Sequence, residues 1–285
     1  MPGPADEVSL SDSISEVKAR LLAGLQEPVV VDLAFIGNTS AVYDWTPCQM
    51  VDLDCFLFAR ELDERLGSWL LGLRDTMAER LEARNISFEV RIVEGPYKPS
   101  MSRLDRPVIV AHLGVFTEET YLRSPALKRW AWRKYRCERE AGRLRRYAPA
   151  PPDLDDFVYG PKGLDERLAA MRAGAVRMTE WLLPSLATRS FEIRTDDVAF
   201  QECCFAYCAN SARNHARALG FLEADSLGNA DFFLWYDRSL FRSEALLQLM
   251  RLKARCRDTG FDLDTDQTRR LALAYLEGLR AALGG

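Results

Sequence analysis

Asp52 and Asp54 are separated by a single residue inside an apolar run, Val51 to Phe58. In a strand, successive side chains leave opposite faces. Both carboxylates therefore leave one face, roughly 6–7 Å apart along the strand. A third acid, Glu89, sits in a second apolar run, Phe88 to Val93. Three converging carboxylates form the oxygen set with which two divalent cations hold a nucleoside triphosphate. One ion would hold the triphosphate and the other would lower the pKa of an attacking hydroxyl. Such chemistry is mostly positioning and charge neutralisation.

Context separates this Asp-x-Asp from two others. Asp153-Leu154-Asp155 and Asp262-Leu263-Asp264-Thr265-Asp266 sit at apparent helix starts, where acids cap the helix and favour its dipole. Asp52 and Asp54 are flanked by apolar residues on both sides, and a carboxylate pair in a buried strand is costly without a cation. Ahead of them, the turn Gly37-Asn38-Thr39-Ser40 follows the apolar run Val29 to Ile36. Glycine there permits a positive φ and a close approach of phosphate to backbone N–H groups.

The elements that must position these groups follow from periodicity. Ser13 to Leu25 reads as an opening helix ended by Pro28. Val29 to Ile36, Val51 to Phe58, Phe88 to Val93 and Pro107 to Phe116 read as strands. Arg60 to Arg84 carries an apolar stripe of Leu62, Leu66, Trp69, Leu70, Leu73, Met77 and Leu81, the mark of a helix packed across a sheet. Ala148-Pro149-Ala150-Pro151-Pro152 reads as an extended linker. Beyond it, Leu164–Leu183, Asp196–Leu219, Ser239–Arg257 and Thr265–Leu283 show helical spacing. The expected fold is α+β: a mixed sheet with helices over residues 1–147, then an all-α helical bundle over 153–285.

Gly37-Asn38-Thr39 followed by Asp52-Leu53-Asp54 resembles the nucleotidyltransferase superfamily of DNA polymerase beta and kanamycin nucleotidyltransferase, in which Gly-Ser precedes Asp-x-Asp in a strand. Ser87 to Val93 is similar to that family's third-carboxylate strand. The resemblance covers roughly residues 29 to 116. It implies that Asp52, Asp54 and Glu89 bind magnesium, two ions in all. It also implies that the turn at Gly37 and Asn38, with Thr39 or Ser40 supplying a hydroxyl, contacts the β- and γ-phosphates. This chain has Asn38 in place of the family's Ser, and Glu89 in place of the more usual Asp.

The expected activity is transfer of a nucleoside monophosphate from an NTP to a hydroxyl or phosphate of a small molecule, with release of pyrophosphate. Antibiotic modification or natural-product biosynthesis is the setting. The rival readings are an RNA or tRNA acceptor, and a non-catalytic interaction protein. Between Arg123 and Arg146 lie ten Lys and Arg against two Glu, while the whole chain carries −4. That imbalance points to a local anion site rather than to whole-surface RNA binding. Within it, Lys128 and Arg129 are candidates for the triphosphate or an anionic acceptor, and Trp130, Trp132 or Tyr135 for stacking on a base. A solvated amphipathic helix is the plainer reading.

Glu94, Glu118 and Glu119 follow strands and are all open as the general base. His112, in an apolar strand, reads as a core histidine. Cys203, Cys204, Cys208 and His215 read as helix-core groups, because zinc sites draw paired Cys knuckles from turns. There is no apolar leader at the N-terminus and no run of 18 apolar residues, and the seven cysteines read as reduced thiols in a cytoplasmic protein with no membrane association.

Overall fold

A computed structural model describes residues 10–35, 42–45, 48–94, 105–123, 153–160, 163–222, 224, 227–259 and 264–284. The Gly37–Ser40 turn, the basic stretch with Lys128 and Arg129, and the Ala148–Pro152 linker all lie outside them. Helix α1 (Leu10–Ala23) and a 3-10 turn (Gly24–Gln26) precede β1 (Val30–Phe35). Then come β2 (Val42–Trp45), β3 (Cys48–Ala59), α2 (Glu64–Glu82), β4 (Ser87–Arg91), β5 (Val93–Glu94), β6 (Val108–Phe116) and α3 (Glu118–Arg123). The second half holds α4 (Leu154–Tyr159), α5 (Leu164–Ala173), β7 (Ala175–Leu182), β8 (Ala187–Arg194), α6 (Val198–Ala218), α7 (Asn229–Ser239), α8 (Glu244–Thr259) and α9 (Thr265–Gly284).

The main sheet runs β1-β3-β6-β4, with β2 added on β3. β1 and β2 are antiparallel to β3, whereas β3, β6 and β4 are mutually parallel. Alternation divides its two faces. Val51, Leu53, Cys55 and Leu57 join Ile109, Ala111 and Leu113 in a core closed by α1 and α2. Asp63 starts α2 by accepting a hydrogen bond from the Leu66 N–H at 3.1 Å, and Leu66, Leu70, Leu73, Met77 and Leu81 are its buried stripe. The opposite face of the sheet gives Met50, Val108 and Val110 to a second core shared with α4–α9. The carboxylates at 52 and 54 alternate onto this second face.

The second half is α+β, not the all-α bundle expected. The helix expected over Leu164–Leu183 stops at Gly174, whose φ of +65° is left-handed. From Ala175 the chain alternates in burial, with Val176, Met178 and Glu180 turned inward, and β7 and β8 form an antiparallel hairpin. β5 continues from β4 past Ile92 and pairs with β7, so the hairpin is tied to the main sheet. α7 is a further helix that the sequence reading does not place. The two later Asp-x-Asp segments are caps: Asp153 accepts from the Asp156 N–H at 2.7 Å and Asp264 from the Gln267 N–H at 3.0 Å.

α2 approaches the hairpin closely at Gly67. A Cβ there would meet the Pro184 carbonyl oxygen at 1.7 Å. Gly67→Ala is therefore expected to destabilise the protein by about 2–3 kcal/mol in urea unfolding. Gly72→Ala, in open space on the same helix, should instead be neutral or stabilising by up to about 1 kcal/mol. Equal behaviour of the two variants would refute this docking.

The second core contains a buried polar chain. His215 Nδ1 lies 2.8 Å from the Tyr236 hydroxyl, which is 3.3 Å from the Tyr275 hydroxyl. Phe157 stacks on the imidazole. Burial pushes the His215 pKa down from 6.5 to about 4. The unfolded chain therefore binds this proton first. The stability His215 contributes is intact above about pH 6.5 and is lost as pH falls to about 4, a difference of about 2–3 kcal/mol. A urea series over this window should show that loss, reduced in His215→Gln relative to the parent chain.

Candidate metal centre

β3 and β6 bring the centre together. In their parallel register Asp52 lies opposite Val110 and Asp54 opposite His112. Registered residues share a face, so the imidazole projects on the same side as both carboxylates. One donor atom each from Asp52, Asp54 and His112 lie within 4.8 Å of one another. His112 Nδ1 is 3.4 Å from Asp52 Oδ1, and the two side chains are only 14% and 10% exposed. The other imidazole nitrogen, Nε2, is buried with no hydrogen-bond partner among the described residues. Leaving such an atom unsatisfied costs about 1–3 kcal/mol. Two carboxylates and an imidazole, with Asp52 and His112 nearly withdrawn from water, form a set that a divalent cation would neutralise. The donors fit such an ion on chemistry and on spacing.

Glu89 takes a different place from the one expected of it. It is on β4, opposite Val110 of β6, so β6 stands between it and Asp52. Two inter-strand spacings separate them, about 9–10 Å. Its carboxylate accepts from Arg91 Nε at 2.8 Å, and Arg91 Nη1 donates to Glu180 at 3.0 Å. Arg189 Nη2 closes the chain on Glu180 at 2.6 Å. The structure thus puts Glu89 into an ion-pair chain linking β4 to the β7–β8 hairpin and leaves it outside the donor group. The physical reason is strand order: the neighbour of β3 is β6, and its inward residue is His112.

No family model, curated protein or solved structure matches this chain significantly.

Of the phosphate-turn residues, Gly37, Asn38, Thr39 and Ser40 lie outside the described residues, as do Lys128 and Arg129. The end of β1 is described: Phe35 pairs with Cys55, adjacent to Asp54. Glu118 and Glu119 begin α3, beyond Phe116, and so lie more than four strand residues, about 13 Å, past His112. Glu119 is paired with Arg123 at 2.7 Å. Glu94 is on β5, in the smaller sheet.

His112 is the residue that sequence reasoning set aside. The available signal was its alternation with Val108 and Val110 on β6. What it lacked was the register that sets it opposite Asp54. Cys203, Cys204 and Cys208 are buried free thiols on α6, and burial raises the pKa of each. Cys204 Sγ contacts Met171 Sδ at 3.5 Å, and His215 is engaged by Tyr236. They are core groups, as expected. Among the described residues no helix is long and apolar enough to cross a membrane.

Proposed function

We propose that the chain is a metal-dependent nucleotidyltransferase that moves a nucleoside monophosphate from an NTP to a small-molecule acceptor. What carries the reading is the placement of Asp52 and Asp54 on one face of β3 with His112 registered beside them. A divalent cation held there would supply charge neutralisation for phosphate oxygens and would acidify an attacking hydroxyl.

The chain's own residues then have distinct tasks. Asp52 and Asp54, with His112, would hold the ion, which would supply charge neutralisation for the triphosphate. Leu53 and Cys55, fully buried on the other face, lock the strand so that the two carboxylates cannot diverge. β1 ends at Phe35, paired with Cys55 beside Asp54, and Gly37, Asn38, Thr39 and Ser40, which follow in the sequence, are assigned the β- and γ-phosphates. In the transfer, an acceptor oxygen bonds to the α-phosphorus, and the bond from that phosphorus to the bridging oxygen breaks. Pyrophosphate leaves with the electron pair, and the proton of a hydroxyl acceptor passes to solvent. The described residues provide for one ion, since Glu89 is engaged by Arg91.

The test is pyrophosphate release from each NTP, with divalent cation and candidate hydroxyl or phosphate acceptors. Release that needs both cation and acceptor supports the proposal. Cation-independent release, or none with any NTP, removes it.

A further inference from the structure

We propose that the Asp52–Asp54–His112 centre selects a nitrogen-accepting first-row dication such as Mn2+ over Mg2+. This rests on the reading of the centre as a metal site and adds the identity of the ion.

Mg2+ is a hard ion that takes oxygen ligands in near-ideal octahedral geometry and gives up its water reluctantly. Imidazole nitrogen suits transition metals better, and Mn2+ accepts both carboxylate and imidazole. The carboxylate that would make an all-oxygen set is Glu89. It is separated from Asp52 by β6 and bound to Arg91, which is bound in turn to Glu180. The donor that β6 does present is His112.

The strand leaves His112 little room to withdraw. β6 is paired on both edges, with β3 and with β4, so its backbone cannot slide without breaking two ladders. Val110 and Leu113 near it are buried at 1% and 3% exposure. Nε2 is buried and without a hydrogen-bond partner among the described residues, and Nδ1 faces Asp52 Oδ1 at 3.4 Å, so the ring lies against the carboxylates with one nitrogen unsatisfied. The ring is therefore available to a metal, and the available metal is one that accepts nitrogen.

The experiment uses the full chain and the metals alone. Isothermal titration with Mn2+ and with Mg2+ gives the selectivity, and electron-spin-echo spectroscopy of bound Mn2+ reads any 14N nucleus coupled to it. The expected result is Mn2+ bound at least about tenfold tighter than Mg2+, with a directly coordinated imidazole nitrogen. His112→Asp should bring the selectivity down by about tenfold and abolish the nitrogen coupling. Glu89→Gln should change both affinities less than about twofold. Mn2+ bound without nitrogen coupling, or selectivity that persists in His112→Asp, would overturn the inference and leave the metal site standing. If neither ion binds the parent chain, the metal site itself fails, and the proposed function with it. The nitrogen coupling is read on the unsubstituted protein, so it does not depend on how the variants fold.

Discussion

Asp54→Asn is expected to lower NTP-dependent pyrophosphate release by on the order of 10³-fold or more, because it removes an anionic ligand of the ion that neutralises the transferring group. Asp52→Asn should behave alike. Both carboxylates lie on the same face of β3, and both belong to the one donor group. The same substitutions carry a second expectation of opposite sign. Without metal, two carboxylates held this close and largely out of water repel each other. Neutralising one should leave the metal-free protein as stable as its parent, or more stable by about 1 kcal/mol. A structural role would predict the reverse, with activity falling because stability falls. Parallel measurement of turnover and of metal-free urea unfolding separates the two. Loss of stability by more than about 1 kcal/mol in both Asn variants would count against the site.

The second large effect concerns the shared core. Phe200, on α6, is fully buried in the cluster that also takes in Met50, Val108 and Val110 of the main sheet. Phe200→Ala should cost about 3–5 kcal/mol. The face of the sheet that carries the carboxylates is thus also a wall of the second core, which both halves share. Unfolding should therefore remain one transition, shifted as a whole, by both circular dichroism and tryptophan fluorescence. Two separated transitions, with the first half untouched by the substitution, would show that the halves fold independently. The chain Glu89–Arg91–Glu180–Arg189 crosses between the same two halves. It is partly exposed, so its contribution is small beside that of the apolar contacts.

The parts of the fold with strong periodicity were legible in the sequence. β1 and β6 stand out as long apolar runs, and β3 as an alternation of apolar residues with Asp52 and Asp54. The stripe from Leu66 to Leu81 identified α2, and only its ends moved, from Arg60–Arg84 to Glu64–Glu82. β2, four residues long, offers too few positions for any pattern. The β7–β8 hairpin was hidden by composition. Ala175, Arg177, Met178 and Ala187 are as acceptable to a helix as to a strand. Only Gly174 and the alternation after it carried the answer.

The site was legible along one strand and not across strands. The spacing of Asp52 and Asp54 is a property of the strand itself, so their common face followed directly. Which strand lies beside β3 is a property of crossover connections, which local sequence does not encode. The expectation that Glu89 completes the site took β4 for the neighbour. The structure puts β6 there, and with it His112. The same order explains why Glu89 has another partner: on the outer strand of the parallel set it meets Arg91, and beyond Arg91 the hairpin's Glu180.

Asp52, Asp54 and His112 are proposed to hold a divalent cation through which an NTP binds. Calorimetric titration of the full chain with each NTP, in Mn2+ or Mg2+ and again in excess chelator, tests it most directly. Saturable NTP binding that requires the cation and is lost in Asp54→Asn is expected. NTP binding of equal affinity in chelator, or binding undiminished in Asp54→Asn, would contradict it.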